Sequence, residues 1–142
     1  MTDFDRAIEW LFRKEGGYSN DPADYGGETM LGISKRYFPV QFSEIMALPD
    51  DQKMPHARHF YEVEFWRKFG CDTMIYPLNI IIFDSAVNTG KSFYAQNDFW
   101  YDILFKRLKH HSKRVEDDKT QLKFLRGWLN RVIGLYEEFV RG

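Results

Sequence analysis

The sequence predicts a mostly α-helical fold, broken by one irregular segment after the first helix. Three observations carry this. Apolar residues recur at steps of three and four along most of the chain, the spacing of one helix face. Turn formers (Gly, Asn, Asp, Pro) concentrate in residues 16–32. Aromatics reach 18%, with thirteen Phe, eight Tyr and four Trp, enough rings to fill a packed core.

The elements follow in order. Thr2 or Asp3 can cap a first helix, with Asp5 favourable in its first turn. Phe4, Ile8 and Leu11 fall on one face, with Phe12 beside them. Gly16-Gly17 should end the helix, since glycine allows positive φ. Residues 18–32 read as a long shaped loop or a small β-hairpin. Ser43 to Leu48 reads as a short helix. Pro55 is expected to open another, with Ala57, Phe60, Tyr61, Phe65 and Phe69 on one side, ending at Gly70. Pro77 opens a third, largely buried, helix to Gly90. Ser92 is the expected cap of a longer helix through Asn97, Trp100, Tyr101, Leu104 and Leu108. Residues 112–119 are so charged that a turn or linker is expected. A last helix carries Leu122, Leu125, Trp128, Leu129, Val132, Leu135, Tyr136 and Phe139.

At 142 residues the chain fits a single domain, 1–142, with one sizeable core. The net charge of −1 gives no footing for nucleic acid. One cysteine, Cys71, cannot form an internal disulfide, so the fold must stand without one. The N-terminus, MTDFDRAIEW, is acidic where a signal peptide needs an apolar stretch. The longest apolar run, Ile80–Phe83, is too short to span a bilayer. The expectation is a chain made in the cytoplasm, with no membrane insertion and no cofactor.

Glu15 stands out by position. Residues 4, 8, 11 and 15 step along one face, and the other three are apolar. A carboxylate at the end of a buried stripe is expected to be partly desolvated, which raises a carboxyl pKa. Glycoside hydrolysis needs such a group to protonate a leaving oxygen. Gly16-Gly17 leaves open space beside it. From periodicity alone, an exposed or salt-bridged glutamate is the commoner outcome. Asp21, Asp24 and Glu28 follow on a segment built from turn formers, where a second carboxylate could steady a cation or orient water. Asp and Asn in such loops also make Asx-turns. For Asp21, before Pro22, the turn role is favoured; for Asp24 the two roles stay open. Thr29 can hold a water by its hydroxyl.

The run KEGGYSNDPADYGGETMLGISKR resembles the signature of glycoside hydrolase family 108. These are lysozyme-like N-acetylmuramidases of phages and bacteria, sometimes labelled secretion activators. The stretch FDSAVNTG at 83–90 resembles the family's Phe-Asp-x-Ala-Val-Asn-x-Gly helix, and FLRGWLNRV at 124–132 its Gly-Trp-Leu-Asn-Arg run. The resemblance implies a lysozyme-like fold, peptidoglycan glycan strands as substrate, and Glu15, in EGGY, as catalytic acid. The order Glu, eight residues, Asp, then Thr also resembles phage-type lysozymes. That likeness suggests Asp24 and Thr29 as the pair that positions water. Many relatives carry an Asp-Gly-x-x-Gly wall-binding segment after the position of Gly90. It is absent here, so residues 91–142 correspond to a shortened C-terminal part. The resemblance implies action in the periplasm or cell wall, with release left to a holin or secretion system, by a monomer.

Weaker candidates remain. Tyr18 could stack on a sugar ring or simply pack. Asn88 could bind an N-acetyl group or cap the helix before Gly90. Asp84, in an apolar helix, needs a partner, and Arg126 or Arg131 could supply it. His56, His59 and the pair His110-His111 lack the convergence of a metal site and read as surface histidines. KRLKHHSKR at 106–114 could meet acidic peptide stems, but reads first as a solvated helix face.

Overall fold

A computed structural model describes all 142 residues. The chain forms two compact units, Met1–Lys68 and Phe69–Gly142. The architecture is mostly helical and lysozyme-like, with six α-helices and one small antiparallel sheet. No helix is long and apolar enough to cross a membrane.

In the first unit, α1 spans Asp3–Lys14. Thr2 caps it: the Asp5 amide donates to the Thr2 hydroxyl at 3.1 Å, and the Thr2 amide donates back to Asp5 at 2.7 Å. Phe4, Ala7, Ile8, Trp10 and Leu11 are buried. Strands β1 (Tyr18–Asn20), β2 (Glu28–Met30) and β3 (Ile33–Ser34) form the sheet in that order. Tyr18 pairs with Met30, and Met30 with Ile33. The helix α2 spans Pro39–Met46 and packs on β2, β3 and α3. It starts earlier than the apolar pattern suggests, because Pro39 sits at its first position, where a proline ring is pre-organised for a helix.

The helix α3 runs Asp50–Tyr61 and continues as a π-helical stretch, Glu62–Arg67. Pro55 lies inside it rather than at its start. Pro49, with Asp50 and Asp51 in the first turn, supplies the true beginning. Phe38, Phe60, Tyr61 and Phe65 form an edge-packed aromatic cluster, with Phe38 to Phe60 at 5.0 Å.

In the second unit, α4 (Leu78–Thr89) is buried from Asn79 through Ala86 and ends at Gly90, in the left-handed region at φ 79°. The helix α5 spans Trp100–Asp117 and packs against both α4 and α6 (Leu125–Leu135). Two expectations fail here. Ser92 does not open α5; its hydroxyl accepts from the Tyr94 amide in the loop before it. The helix starts at Trp100, where Asp102 accepts from the Phe99 amide at 2.8 Å. Nor is 112–119 a linker: α5 continues through it to Asp117, and Lys113 pairs with Asp117 one turn on. Charge does not break a helix, and residues 91–126 contain neither Gly nor Pro.

Asp84 is a fully buried carboxylate of this unit. Its carboxylate accepts from Arg107 at 2.7 Å and from Arg131 at 2.8 Å, joining α4, α5 and α6. Of the two arginines expected as partners, Arg131 is the one used, and Arg107 joins it. Both guanidiniums hold the Asp84 carboxyl well below the usual carboxylate range. His111 is fully buried, not at the surface, and stacks on Trp128 at 4.8 Å. Burial, then Arg107, pushes its pKa down to about 3. The 106–114 run is therefore a solvated face only in part, since Arg107 and His111 point inward from it.

Candidate active site

The site is built where α1 ends. Glu15 is the C-cap, and its backbone has already left the helix at φ −92°, ψ 124°. Its amide still donates to the Leu11 carbonyl at 2.8 Å, so the last helical bond fixes where the side chain emerges. Glu15 is half-buried. Gly16 and Gly17 are not in the left-handed region. Their role is spatial: a side chain added at either would meet nothing within 4 Å. The opening beside the carboxylate is real, but helix termination comes from the turn at Glu15 itself.

The other wall is the β2–β3 turn. Only Leu31 and Gly32 separate the paired Met30 and Ile33, and both have positive φ, 48° and 80°. That is the signature of a type I′ hairpin turn. The turn is held from two sides. The Leu31 amide donates to the Gly17 carbonyl at 2.9 Å. The Leu31 carbonyl accepts from the Tyr61 hydroxyl at 2.6 Å. A methyl group at Gly32 would lie 3.0 Å from Cγ and 3.3 Å from Cδ of Glu15, and would collide with the Tyr61 hydroxyl. The Glu15 side chain thus lies against bare backbone at Gly32.

Asp24 is exposed, in a tight turn. Its Oδ1 accepts from the Gly26 amide at 2.9 Å, and its carbonyl from the Gly27 amide at 3.0 Å. An Asx-turn therefore occupies one carboxylate oxygen. Asp21 makes the same motif with the Ala23 amide. Thr29, in mid β2, faces Ser19 and Ser34. Asp24 and Thr29 meet around Gly26: the position of a Gly26 side chain is 3.4 Å from Asp24 Oδ1 and 3.9 Å from Thr29 Cγ2. Ser34 closes this turn by donating to the Gly26 carbonyl at 2.7 Å.

Tyr18 engages Glu28, donating its hydroxyl at 2.6 Å, while its ring stays half exposed. That bond lowers the Glu28 pKa and raises the Tyr18 pKa. Asn88 belongs to the second unit, where its side-chain oxygen accepts from Arg107 at 3.0 Å. The helix end, whose capping was one of the two roles open to Asn88, is closed by the Gly90 amide donating to Ala86. No cluster of three His, Cys, Asp or Glu could hold a metal ion.

Sequence reasoning missed Gly32 and Tyr61. The Met-Leu-Gly-Ile run contained a signal, since two residues between short extended segments mark a hairpin turn. Nothing local tied Tyr61 to it.

A carboxyl set at a helix end against a hairpin, with open space at the two glycines that follow it, is placed where it can give or take a proton. The chain belongs to the glycosyl hydrolase 108 family, whose model matches residues 8–90. It is therefore a glycoside hydrolase by family. A solved structure of Brucella abortus SagA is similar over 94% of this chain and 91% of that one, with a TM-score of 0.68 and 20% identity. That likeness is one of fold. No curated protein matches the chain.

Proposed function

We propose that the protein is an N-acetylmuramidase, cleaving the β-1,4 bond between N-acetylmuramic acid and N-acetylglucosamine in peptidoglycan. The observation that carries this is the placement of Glu15, half-buried against Gly32, with the side-chain-free Gly16-Gly17 segment beside it, in a chain of a glycoside hydrolase family. Glu15 donates a proton to the glycosidic oxygen as the bond breaks, leaving an oxocarbenium-like centre. Asp24 and Thr29, brought together around Gly26, direct water to that centre or steady its charge. The half-exposed Tyr18 ring offers a face for a sugar. The polymer lies outside the cytoplasm, so a holin or secretion system provides the route.

One observation favours a second reading. The Asp24 carboxylate is already engaged in its own turn. A lytic transglycosylase needs no second carboxylate: Glu15 acts first as acid and then as base, with no water consumed. Products separate the two, since an anhydro-muramic end belongs only to the transglycosylase.

The test is loss of turbidity of purified peptidoglycan with wild type and Glu15→Gln. Removing the proton donor is expected to lower the rate by about 100-fold or more. Equal rates would sink the assignment of Glu15.

A further inference from the structure

We infer that Tyr61 is a positioning residue for Glu15, acting through the Leu31-Gly32 turn. The inference rests on the reading of Glu15 as the general acid. Tyr61 is the last residue of α3 and is 1% exposed. Its ring is wedged among Phe12, Phe60 and Phe65, at 6.3, 5.1 and 5.8 Å between centroids. The hydroxyl therefore has little freedom of its own, and it donates to the Leu31 carbonyl.

That acceptor sits on an awkward piece of backbone. Leu31 is a non-glycine residue at φ 48°, a conformation that costs an L-residue energy and persists only when its surroundings hold it. The Tyr61 bond is one hold. The Gly17 carbonyl, two residues beyond Glu15, is the other. The turn so fixed brings Gly32 against the Glu15 side chain, with Cγ and Cδ at 3.0 and 3.3 Å from where a methyl would stand. The Tyr61 hydroxyl borders the same small space. Gly32 leaves that space unfilled, and Tyr61 keeps it at a fixed size. Together they set the distance between the acid and the backbone behind it.

Tyr61→Phe deletes the hydroxyl and keeps the ring packing. Rates are measured on soluble, uncrosslinked peptidoglycan strands, normalised to folded protein by circular dichroism. The expected result is a kcat lowered by about 10- to 100-fold, the scale of a misplacement near 1 Å, with KM within about twofold of wild type, the pattern of an interaction realised only in the transition state. Gly32→Ala keeps the hydroxyl but fills the space, and the same loss in kcat is expected. Wild-type kcat in folded Tyr61→Phe overturns the inference. If that variant does not fold, wild-type kcat in Gly32→Ala overturns it instead. Glu15→Gln, run alongside, separates the two levels. An inactive Glu15→Gln with a fully active Tyr61→Phe removes only the role of Tyr61. An active Glu15→Gln removes the acid assignment and this inference with it.

Discussion

Asp84→Asn tests the second unit most sharply. The wild-type carboxylate is fully buried and accepts from Arg107 at 2.7 Å, from Arg131 Nη2 at 2.8 Å, and from Arg131 Nε at 3.2 Å. Asparagine keeps the shape and one acceptor but removes the charge. Arg107, whose side chain is 0% exposed, then has no counter-charge here, and Arg131 repels it. Breaking a buried pair on one side costs about 3–5 kcal/mol, because the stranded ion stays desolvated. For a chain of this size, that lowers the thermal midpoint by about 10 °C or more. Arg131→Gln is the control. It leaves the neutral Asp84–Arg107 pair intact, and Arg131 is itself partly exposed, so its cost should be smaller, about 1–2 kcal/mol. Thermal unfolding by circular dichroism measures both. An Asp84→Asn midpoint within about 3 °C of wild type, or one above Arg131→Gln, would refute the argument that the carboxylate offsets the buried Arg107 guanidinium and its partner Arg131.

Two further outcomes are expected. His111 is neutral in the folded protein down to about 3, against an ordinary value of 6.5. The unfolded chain thus takes up a proton that the folded one refuses, and stability falls as pH drops from about 6.5 towards 3. Between about pH 7 and pH 4.5 this costs about 2–3 kcal/mol. Asp84, depressed instead, adds its loss only below about pH 4. His111→Phe, which can still stack on Trp128, should flatten the upper part of this fall. Urea midpoints at the two pH values would show it, and an unchanged slope would count against burial as the cause. The glycines give opposite signs. Gly90→Ala forces a side chain to φ 79° with nothing to contact, and should cost about 1 kcal/mol. Gly127→Ala, inside α6 and equally open, should gain about 0.5–1 kcal/mol. Chemical denaturation of the pair reads both, and a shared sign would contradict the backbone argument.

Much of the frame was legible because it is written in local chemistry. The Thr2 cap, the apolar stripe ending in Glu15, the close of α4 at Gly90 and the need of Asp84 for a cation all follow from spacing and residue type. The failures are local too. Pro55 looked like a helix start because proline favours that place, yet Pro49 stands six residues before it and two aspartates follow Pro49 directly. The basic run of α5 hid its inward face, although Ile103, Leu104, Arg107 and His111 keep helical spacing. Reading Arg107 and His111 as part of that stripe, rather than as charges, would have found them. The wall behind Glu15 is different in kind. Residues 15, 32 and 61 come together only through a turn and a helix end, and no local period links them.

The Asp84 junction also bears on how such a chain can be divided or recombined. The family match stops at residue 90, but the carboxylate inside it is neutralised from α5 and α6, 23 and 47 residues further along. A fragment ending at Gly90 would cut through the second unit, removing both cations and the α5 helix that packs on α4. The matched segment is thus not an autonomous folding piece. A chimera that exchanges everything after Gly90 therefore needs a cation from the incoming half to meet Asp84, above all at the buried position of Arg107.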